Sequence, residues 1–179
     1  MSARSTGRYV AFLRGVNVGG ITIKMADLRD TLTAAGLADV RTVLASGNAV
    51  FASSDIDRTE LKARIEEALR DTFGYPAWIV LRDLDQVRAI VDGYPFPERD
   101  ERQPYVLLAA DPASLAELAE AAPELDPAVE QIRLGDDVLY WEVLRGRTLT
   151  SAFGKASANR KYKSTVTNRN LRTLRKILA

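Results

Sequence analysis

Along the first half of the chain, apolar positions follow two spacings, one typical of strands and the other of helices. Short apolar runs at 8–15, 40–45, 48–52 and 77–81 predict four strands. The two segments between these runs repeat apolar residues at helical spacing, namely Met25, Leu28, Leu32 and Ala35, and then Leu61, Ile65, Leu69 and Phe73. Each segment therefore predicts an amphipathic helix, and the predicted order is β-α-β-β-α-β.

A similar order of patterns returns in the second half. A helical segment at 83–91 comes first, and apolar runs then predict strands at 105–109, 129–134 and 138–143. Between the first two of these strands, the Asp-Pro pair at 111–112 fits the N-cap and first position of another helix. The β-α-β-β-α order is therefore predicted twice in one chain.

The C-terminal residues predict a last helix that begins at about Asn168. Leu171, Leu174 and Leu178 would turn inward, and Thr167 or Asn168 would supply the N-cap. Helical spacing is thus expected to extend almost to the end of the sequence.

The repeated pattern predicts an α+β fold of two ferredoxin-like halves, each with an antiparallel sheet backed by helices, packed as one compact unit. We expect the first half to span residues 1–82. The second is expected to span 83–179 and to include a basic C-terminal segment.

Four stretches carry a family resemblance: RYVAFLRGVNVGG, KMADLRDTL and DVRTVLASGNAVF near the start, and TVTNRNLRTLRKIL at the end. They resemble the motifs of the bacterial family known as domain of unknown function 1697, and the resemblance spans nearly the whole chain. It implies a compact α+β protein with ferredoxin-like halves. It implies no established activity, substrate or cofactor.

The sequence contains no cysteine and no histidine. Disulfides, thiolate nucleophiles and Cys/His zinc sites are therefore excluded, and the usual general base near neutral pH is missing. The pairs Asp55/Asp57 and Asp136/Asp137 are interpreted as a helix cap and a hairpin turn rather than as metal ligands. The sequence predicts no metal site, and any catalysis would depend on other side chains or on a borrowed cofactor.

Targeting features are also missing from the sequence. No apolar run approaches the ~20 residues that cross a bilayer, and no apolar stretch typical of a signal peptide follows the basic N-terminal residues. We therefore expect a cytoplasmic protein with no membrane partner.

Charge is distributed unevenly along the chain. Residues 145–179, which we call the basic segment, carry ten Lys or Arg and no acid, whereas residues 1–144 carry fifteen Lys or Arg and all 24 acids. This asymmetry indicates an anionic partner, docking of the basic segment on the acidic part of the chain, or both. Within the segment, Tyr162 between two lysines is positioned to stack on a base, although no RNA-recognition strand motif is present. The alternative interpretation is a solvated helix face.

The stretch LRGVNVGGITIKM, residues 13–25, predicts an anion site at the first strand-to-helix connection. It lacks the Lys-Ser/Thr pair of a P-loop and the second glycine of a dinucleotide fingerprint, so no nucleotide cofactor motif is present and no cofactor is predicted. Glycines allow backbone N–H groups to converge on an anion, and the positive end of the next helix begins near Lys24. The alternative is a plain chain reversal in which Asn17 bonds its own backbone.

Topology predicts which loop lies beside this one. In a β-α-β-β half the third strand runs antiparallel to the first, so Arg14-Gly15 should lie next to the start of the third strand at Ser46-Gly47-Asn48.

Ser46 has no histidine to activate it and no G-x-S-x-G setting, which argues against a hydrolase. At least one of the adjacent Tyr140/Trp141 pair should face away from the core, and an outward aromatic would mark a partner surface, although packing in the core is the commoner alternative.

These patterns predict a protein that binds an anionic ligand, either a phosphorylated metabolite, a nucleotide or a nucleic acid. Arg14 and Arg169 would neutralise charge, and Asn48 and Asn170 would orient the ligand. Two alternatives stay open: an enzyme that acts on a phosphorylated substrate without histidine or cysteine, and a protein-interaction scaffold. The oligomeric state is also left open. The candidate ligand-binding residues are Arg14, Gly15, Asn17, Gly19, Gly20, Lys24, Ser46, Asn48, Lys155, Lys163, Thr165, Thr167, Arg169 and Asn170.

Overall fold

A computed structural model of the chain describes residues 6–17, 21–54 and 57–179. The contacts within it group the chain into two units. The first unit comprises Met1–Val87 with Lys176–Ala179, and the second comprises Arg88–Arg175. In the described part of the chain, no helix is both long and apolar enough to cross a membrane.

The first unit contains a four-stranded antiparallel sheet in the order β2-β3-β1-β4. Helices α1 and α2 belong to the same unit, and α3 contains the boundary between the units. The elements are β1 (Gly7–Leu13), α1 (Met25–Ala34), β2 (Ala38–Thr42), β3 (Asn48–Ser53), α2 (Arg58–Phe73), β4 (Ile79–Asp83) and α3 (Leu84–Asp92). This arrangement confirms the β-α-β-β-α-β order predicted for the first half.

Helices α1 and α2 cover one face of this sheet. Leu28 and Leu32 of α1 and Ile65 of α2 are fully buried in one cluster with Ala11 and Phe51 of the sheet. Side chains on the other face of β1 and β3, such as those of Val10 and Val50, are also fully buried. Because both faces are buried, these strands have continuous apolar runs rather than an alternating pattern.

The second unit repeats the same sheet order, β6-β7-β5-β8, again with antiparallel pairs. A short 3₁₀ helix lies at Arg160–Tyr162. The remaining elements are β5 (Arg102–Ala109), α4 (Pro112–Ala121), β6 (Glu130–Leu134), β7 (Val138–Leu144), α5 (Ala152–Ser157), β8 (Val166–Asn170) and α6 (Leu171–Leu178). Two four-stranded antiparallel sheets with helices confirm the predicted α+β fold of two halves. The division into halves at residues 1–82 and 83–179 stays a prediction.

The acidic residues interpreted as caps and turns have those positions. The side chain of Asp57 accepts hydrogen bonds from the backbone N–H groups of Thr59 and Glu60 at the start of α2. The side chain of Asp111 caps α4 in the same way. Asp137 adopts φ 56° in the turn between β6 and β7. Asp55 lies outside the described residues.

The end of the chain differs from the prediction. Residues 166–170 form strand β8, which pairs with β5, and the last helix begins at Leu171 instead of about Asn168. The predicted N-cap at Thr167 or Asn168 is therefore wrong, and the Asn170 side chain accepts the hydrogen bond from the backbone N–H of Arg172. The fourth strand completes the hydrogen bonding of β5, which outweighs the helical spacing of the leucines.

The aromatic side chains considered for surface contacts, Tyr162 and the Tyr140/Trp141 pair, are all buried. Tyr162 and Trp141 belong to the core cluster beneath the helices, so Tyr162 is not presented for stacking on a base. Tyr140 points to the other face of β7 and is 5% exposed, because its hydroxyl donates to the carbonyl of Ile90. The outward aromatic expected from this pair is absent among the described residues.

Candidate functional site

The loop after β1 and the loop before β3 meet at one end of the first sheet. The backbone N–H of Leu13 donates to the carbonyl of Gly47 over 2.9 Å, and Phe12 lies opposite Asn48 in the strand register. The predicted proximity of Arg14-Gly15 to the start of β3 is confirmed. We call residues 14–17, 21–24 and 43–48 the loop surface.

Asn17 holds the loop surface together. Its backbone has φ 57°, a left-handed conformation that asparagine tolerates better than most residues. Its side-chain amide donates to the carbonyls of Ile23 (3.2 Å) and Ala45 (2.7 Å), and its side-chain oxygen accepts from the N–H of Ile23 (3.0 Å). Both amide hydrogens are thus used within the protein. Asn17 therefore positions the two loops, which agrees with the alternative interpretation of a turn bonded to itself.

Asn48 positions the second loop from inside the protein. The side chain is fully buried, and its amide donates to the Val43 carbonyl (2.7 Å) and to the Ser46 Oγ (2.9 Å). Beside it, Gly47 has φ 83°, and a Cβ there would lie 2.9 Å from the Leu13 Cβ. Only glycine fits this close crossing without displacement. Asn48 therefore cannot touch a ligand directly and would act by positioning Ser46, which is exposed.

Two cations flank the first loop. Arg14 is half-buried immediately after β1, and this burial lowers the pKa of its guanidinium from the ordinary value. Lys24 is exposed and occupies the N-cap of α1, where no described side chain caps the helix. Gly15 is exposed with φ 73°. Gly19 and Gly20, which the sequence also assigns to the site, lie outside the described residues.

The six candidates in the basic segment all lie in the second unit, on α5, in the connection before β8 and on β8. Lys155 on α5 and Lys163 after the 3₁₀ helix are exposed, and Thr165 is half-buried. Thr167 and Arg169 lie two positions apart on β8 and are 2% and 6% exposed.

Hydrogen bonds give two of these residues structural roles. The Arg169 Nη1 donates to the Thr167 Oγ1 (2.7 Å) and to the Asn168 carbonyl (2.9 Å). Asn170 caps α6 through its side-chain oxygen. A ligand in solution reaches Lys155 and Lys163 most readily.

The basic segment also pairs with acids of its own unit. Lys161 forms an ion pair with Glu117 on α4, and Arg175 forms a two-bond pair with Glu98. The Arg175 hydrogen bond lowers the pKa of Glu98 below its ordinary value. Part of the charge asymmetry is therefore neutralised within the second unit, as the docking interpretation predicts.

The second unit contains a cavity of about 90 Å³ that the sequence did not indicate. Tyr94 lies on its wall, and six charged residues line it, namely Glu98, Arg99, Asp100, Arg102, Glu142 and Arg172. Arg102 and Glu142 are 7% and 1% exposed. The signal that could have identified them is a charge at an inward position of an apolar strand, as in VLYWEV. The predicted start of β5 at residue 105 left Arg102 outside the strand.

No group of three or more acidic side chains able to hold a metal ion occurs in the described ranges. The charged lining of the cavity mixes bases with acids, and both flanking charges of the loop surface are cations. Neither arrangement is an oxygen-ligand set of the kind that binds Ca²⁺ or Mg²⁺.

A known structure resembles the chain over almost its full length. The conserved bacterial protein SP0830 from Streptococcus pneumoniae is 26% identical, with a TM-score of 0.81 and coverage of 97% of each chain. An unknown protein from Galdieria sulphuraria is 12% identical over 93% of this chain and 98% of its own, and its TM-score of 0.29 supports no comparison of folds. No curated protein matches the chain.

The family described as "Protein of unknown function (DUF1697)" matches residues 7–140, which include the loop surface, β5 and the first three residues of β7. That match covers well over half of the sequence and agrees with the resemblance of the N-terminal motifs. The chain therefore belongs to the DUF1697 family.

Proposed function

We propose that this is a cytoplasmic binding protein for an anionic ligand, either a phosphorylated metabolite or a nucleotide, and that the loop surface holds the ligand. One observation carries the proposal: Arg14 and Lys24 belong to one loop, in which Asn17 is bonded to Ile23 and which the Asn17–Ala45 hydrogen bond joins to the loop before β3. Cations on preordered backbone lose less conformational entropy on binding than cations on mobile chains.

Each group of the loop surface has a distinct task in this proposal. The half-buried Arg14 offers a planar fork that matches two oxygens of a phosphate, and partial burial strengthens its charge interactions. Lys24 adds a point charge beside the first N–H groups of α1, which have no partner within the helix. Gly15 and the exposed Ser46 hydroxyl supply short-range hydrogen bonds, as Gly19 and Gly20 are also predicted to do.

A nucleic acid would use the second unit instead. In this form of the proposal, Lys155 and Lys163 contact phosphates while Thr165 and Asn170 add hydrogen bonds. Thr167 and Arg169, being buried, would act by holding β8 in place. Such binding would be weakened strongly by added salt, because phosphate contacts release counterions.

The experiment is a thermal-shift and calorimetry panel at low and moderate salt. The ligands are sulfate, sugar phosphates, nucleotides, and short single- and double-stranded oligonucleotides. We expect one small phosphate compound to stabilise the protein at both salt concentrations. Because charged hydrogen bonds contribute about 1.5–3 kcal/mol, Arg14→Ala should weaken its binding by roughly ten- to a hundredfold.

Arg8→Ala is the matched control. Arg8 lies on β1, is exposed, and is six residues before Arg14, which is roughly 20 Å along an extended chain. Its removal changes the net charge equally and should leave the affinity within about twofold of the parent. Equal losses in the two variants would mean that net charge and not the loop surface attracts the ligand.

Other results of the panel select among the alternatives. Salt-sensitive binding of oligonucleotides alone would transfer the site to the basic segment. Turnover of a bound phosphate compound would make the protein an enzyme. A stable self-association with no response to any anion would favour the scaffold and contradict the proposal.

A further inference from the structure

We propose that the cavity of the second unit binds a small zwitterion of the α-amino-acid class. We call this cavity the Arg102–Glu142 pocket. It is independent of the proposed anion site, because every residue that lines it belongs to Arg88–Arg175.

The strands fix the two charges at its base. Glu142 on β7 lies opposite Pro104 on β5, and Arg102 is two residues before Pro104, so the three side chains share one face of the sheet. The Arg102 Nη1 is 3.6 Å from the Glu142 Oε1. Both side chains are more than nine-tenths buried. The base of the pocket is therefore a fixed pair of opposite charges.

Neighbouring groups hold each member of the pair in position. The Arg102 Nη2 donates to the carbonyls of Pro127 (3.1 Å) and Ala128 (2.8 Å). On the other side, the Gln131 Nε2 donates to the Glu142 Oε1 over 2.8 Å. These bonds orient the guanidinium and the carboxylate before any ligand arrives.

Three polar atoms of the pair remain buried without a hydrogen-bond partner among the described residues. They are the Nε and Nη1 of Arg102 and the Oε2 of Glu142. A guanidinium only donates and a carboxylate only accepts, so a ligand must bring an acceptor for Arg102 and a donor for Glu142. Buried polar groups almost always have partners, which makes three orphaned atoms on two adjacent residues an indication of a ligand.

The charges of the lining exclude simple ions. Three arginines and three acids line the pocket, so a lone anion would meet Glu142 and a lone cation would meet Arg102. In an α-amino acid, a carboxylate and an ammonium group are attached to one carbon. That ligand places its carboxylate against the guanidinium of Arg102 and its ammonium against the carboxylate of Glu142, so each charge of the ligand meets an opposite charge of the protein.

Size and shape favour a short side chain. A cavity of about 90 Å³ accommodates several groups the size of a water molecule. Tyr94 lines it, and this ring is held edge-on to Phe96 (5.7 Å) and Tyr140 (5.8 Å). Burial and the charge of Glu142 raise the pKa of Tyr94, so its hydroxyl stays a neutral donor. Glycine and alanine therefore fit better than larger amino acids.

The first test uses the full chain labelled with ¹⁵N and compares whole and half ligands. L-Alanine should shift the backbone amide signals of residues 98–103 and 142 saturably. Acetate carries only the carboxylate and ethylamine only the ammonium, and each should bind at least tenfold more weakly. Equal binding of acetate and alanine, or no saturable shift up to tens of millimolar, would overturn the proposal. If no saturable shift is seen, ordered water alone fills the pocket.

A second test removes the charge of Glu142. Glu142→Gln keeps the size of the side chain but loses the anion, and alanine binding should fall at least tenfold. The matched control is Glu101→Gln, an exposed acid outside the lining that changes the net charge equally. Equal losses in both variants would contradict the proposal, and if Glu142→Gln does not fold, the half-ligand comparison still decides. Arg14→Ala should retain alanine binding, which separates this pocket from the loop surface.

Discussion

The side-chain amide of Asn17 donates a 2.7 Å hydrogen bond to the backbone carbonyl of Ala45, twenty-eight positions along the chain. This bond joins the loop after β1 to the loop before β3. The same side chain also bonds the N–H and carbonyl of Ile23. One short amide thereby determines where Arg14 and Lys24 lie, so the geometry of the proposed anion site depends on it.

Substituting Asn17 separates its backbone role from its side-chain role. Asn17→Gly keeps the left-handed conformation but loses three hydrogen bonds, and we expect it to lower the free energy of unfolding by about 1–3 kcal/mol. Asn17→Ala loses the same bonds and also strains the backbone, which adds roughly 1 kcal/mol. Urea denaturation of the three proteins measures both differences.

The order of the two variants is the decisive result of that comparison. A glycine variant as stable as the parent would mean that the amide bonds do not hold the loops. Alanine and glycine variants of equal stability would mean that the backbone at residue 17 is not strained. Anion affinity measured in parallel should fall in both variants, because neither retains the bond to Ala45.

Most of the fold follows from hydrophobic spacing. The runs at 48–52 and 138–143 lie within β3 and β7, because both faces of those strands are buried and apolar side chains fill both. The strand at residues 166–170 was not predicted, because these residues form a strand only by pairing with β5, which lies about sixty positions earlier in the chain. Local spacing contains no information about such a distant partner.

The candidate site was predictable only in part. Topology placed the loops of Arg14 and Ser46 together, since β1 and β3 must be neighbours in this fold. It could not show that the Asn17 and Asn48 amides are used internally, because that depends on atomic positions in the loops. The Arg102–Glu142 pocket was missed because Arg102 was assigned to the loop before the predicted strand at 105–109, and Glu142 lies in a run that apolar spacing alone described as core.

Gly154 tests the packing around α5. A Cβ at this buried position would lie 2.0 Å from the Thr148 carbonyl oxygen and 2.8 Å from the Ser151 Oγ. Gly154→Ala should therefore lower the free energy of unfolding by about 3 kcal/mol or more, since backbone has to move. Differential scanning calorimetry would show this as a lower Tm.

The control for Gly154→Ala is Gly74→Ala at the C-cap of α2. There φ is 65°, but among the described residues no atom lies within 4 Å of the added Cβ. Only the cost of a left-handed alanine, about 1–2 kcal/mol, is expected. If Gly154→Ala proves no more destabilising than Gly74→Ala, the loop at Thr148 adapts and the packing argument is wrong.

Ionisation of Tyr75 should make the free energy of unfolding depend on pH in the alkaline range. Its hydroxyl is buried without a partner among the described residues, and burial raises the pKa of Tyr75 from 10.0 to about 12. A folded pKa above the unfolded one gives a contribution that is complete below pH 10 and lost as the pH rises towards 12. Tyr75→Phe lacks this loss, so its stability advantage over the parent, measured by urea denaturation, should grow across that range. An advantage that stays constant from neutral to alkaline pH would mean that the hydroxyl reaches water in the folded protein.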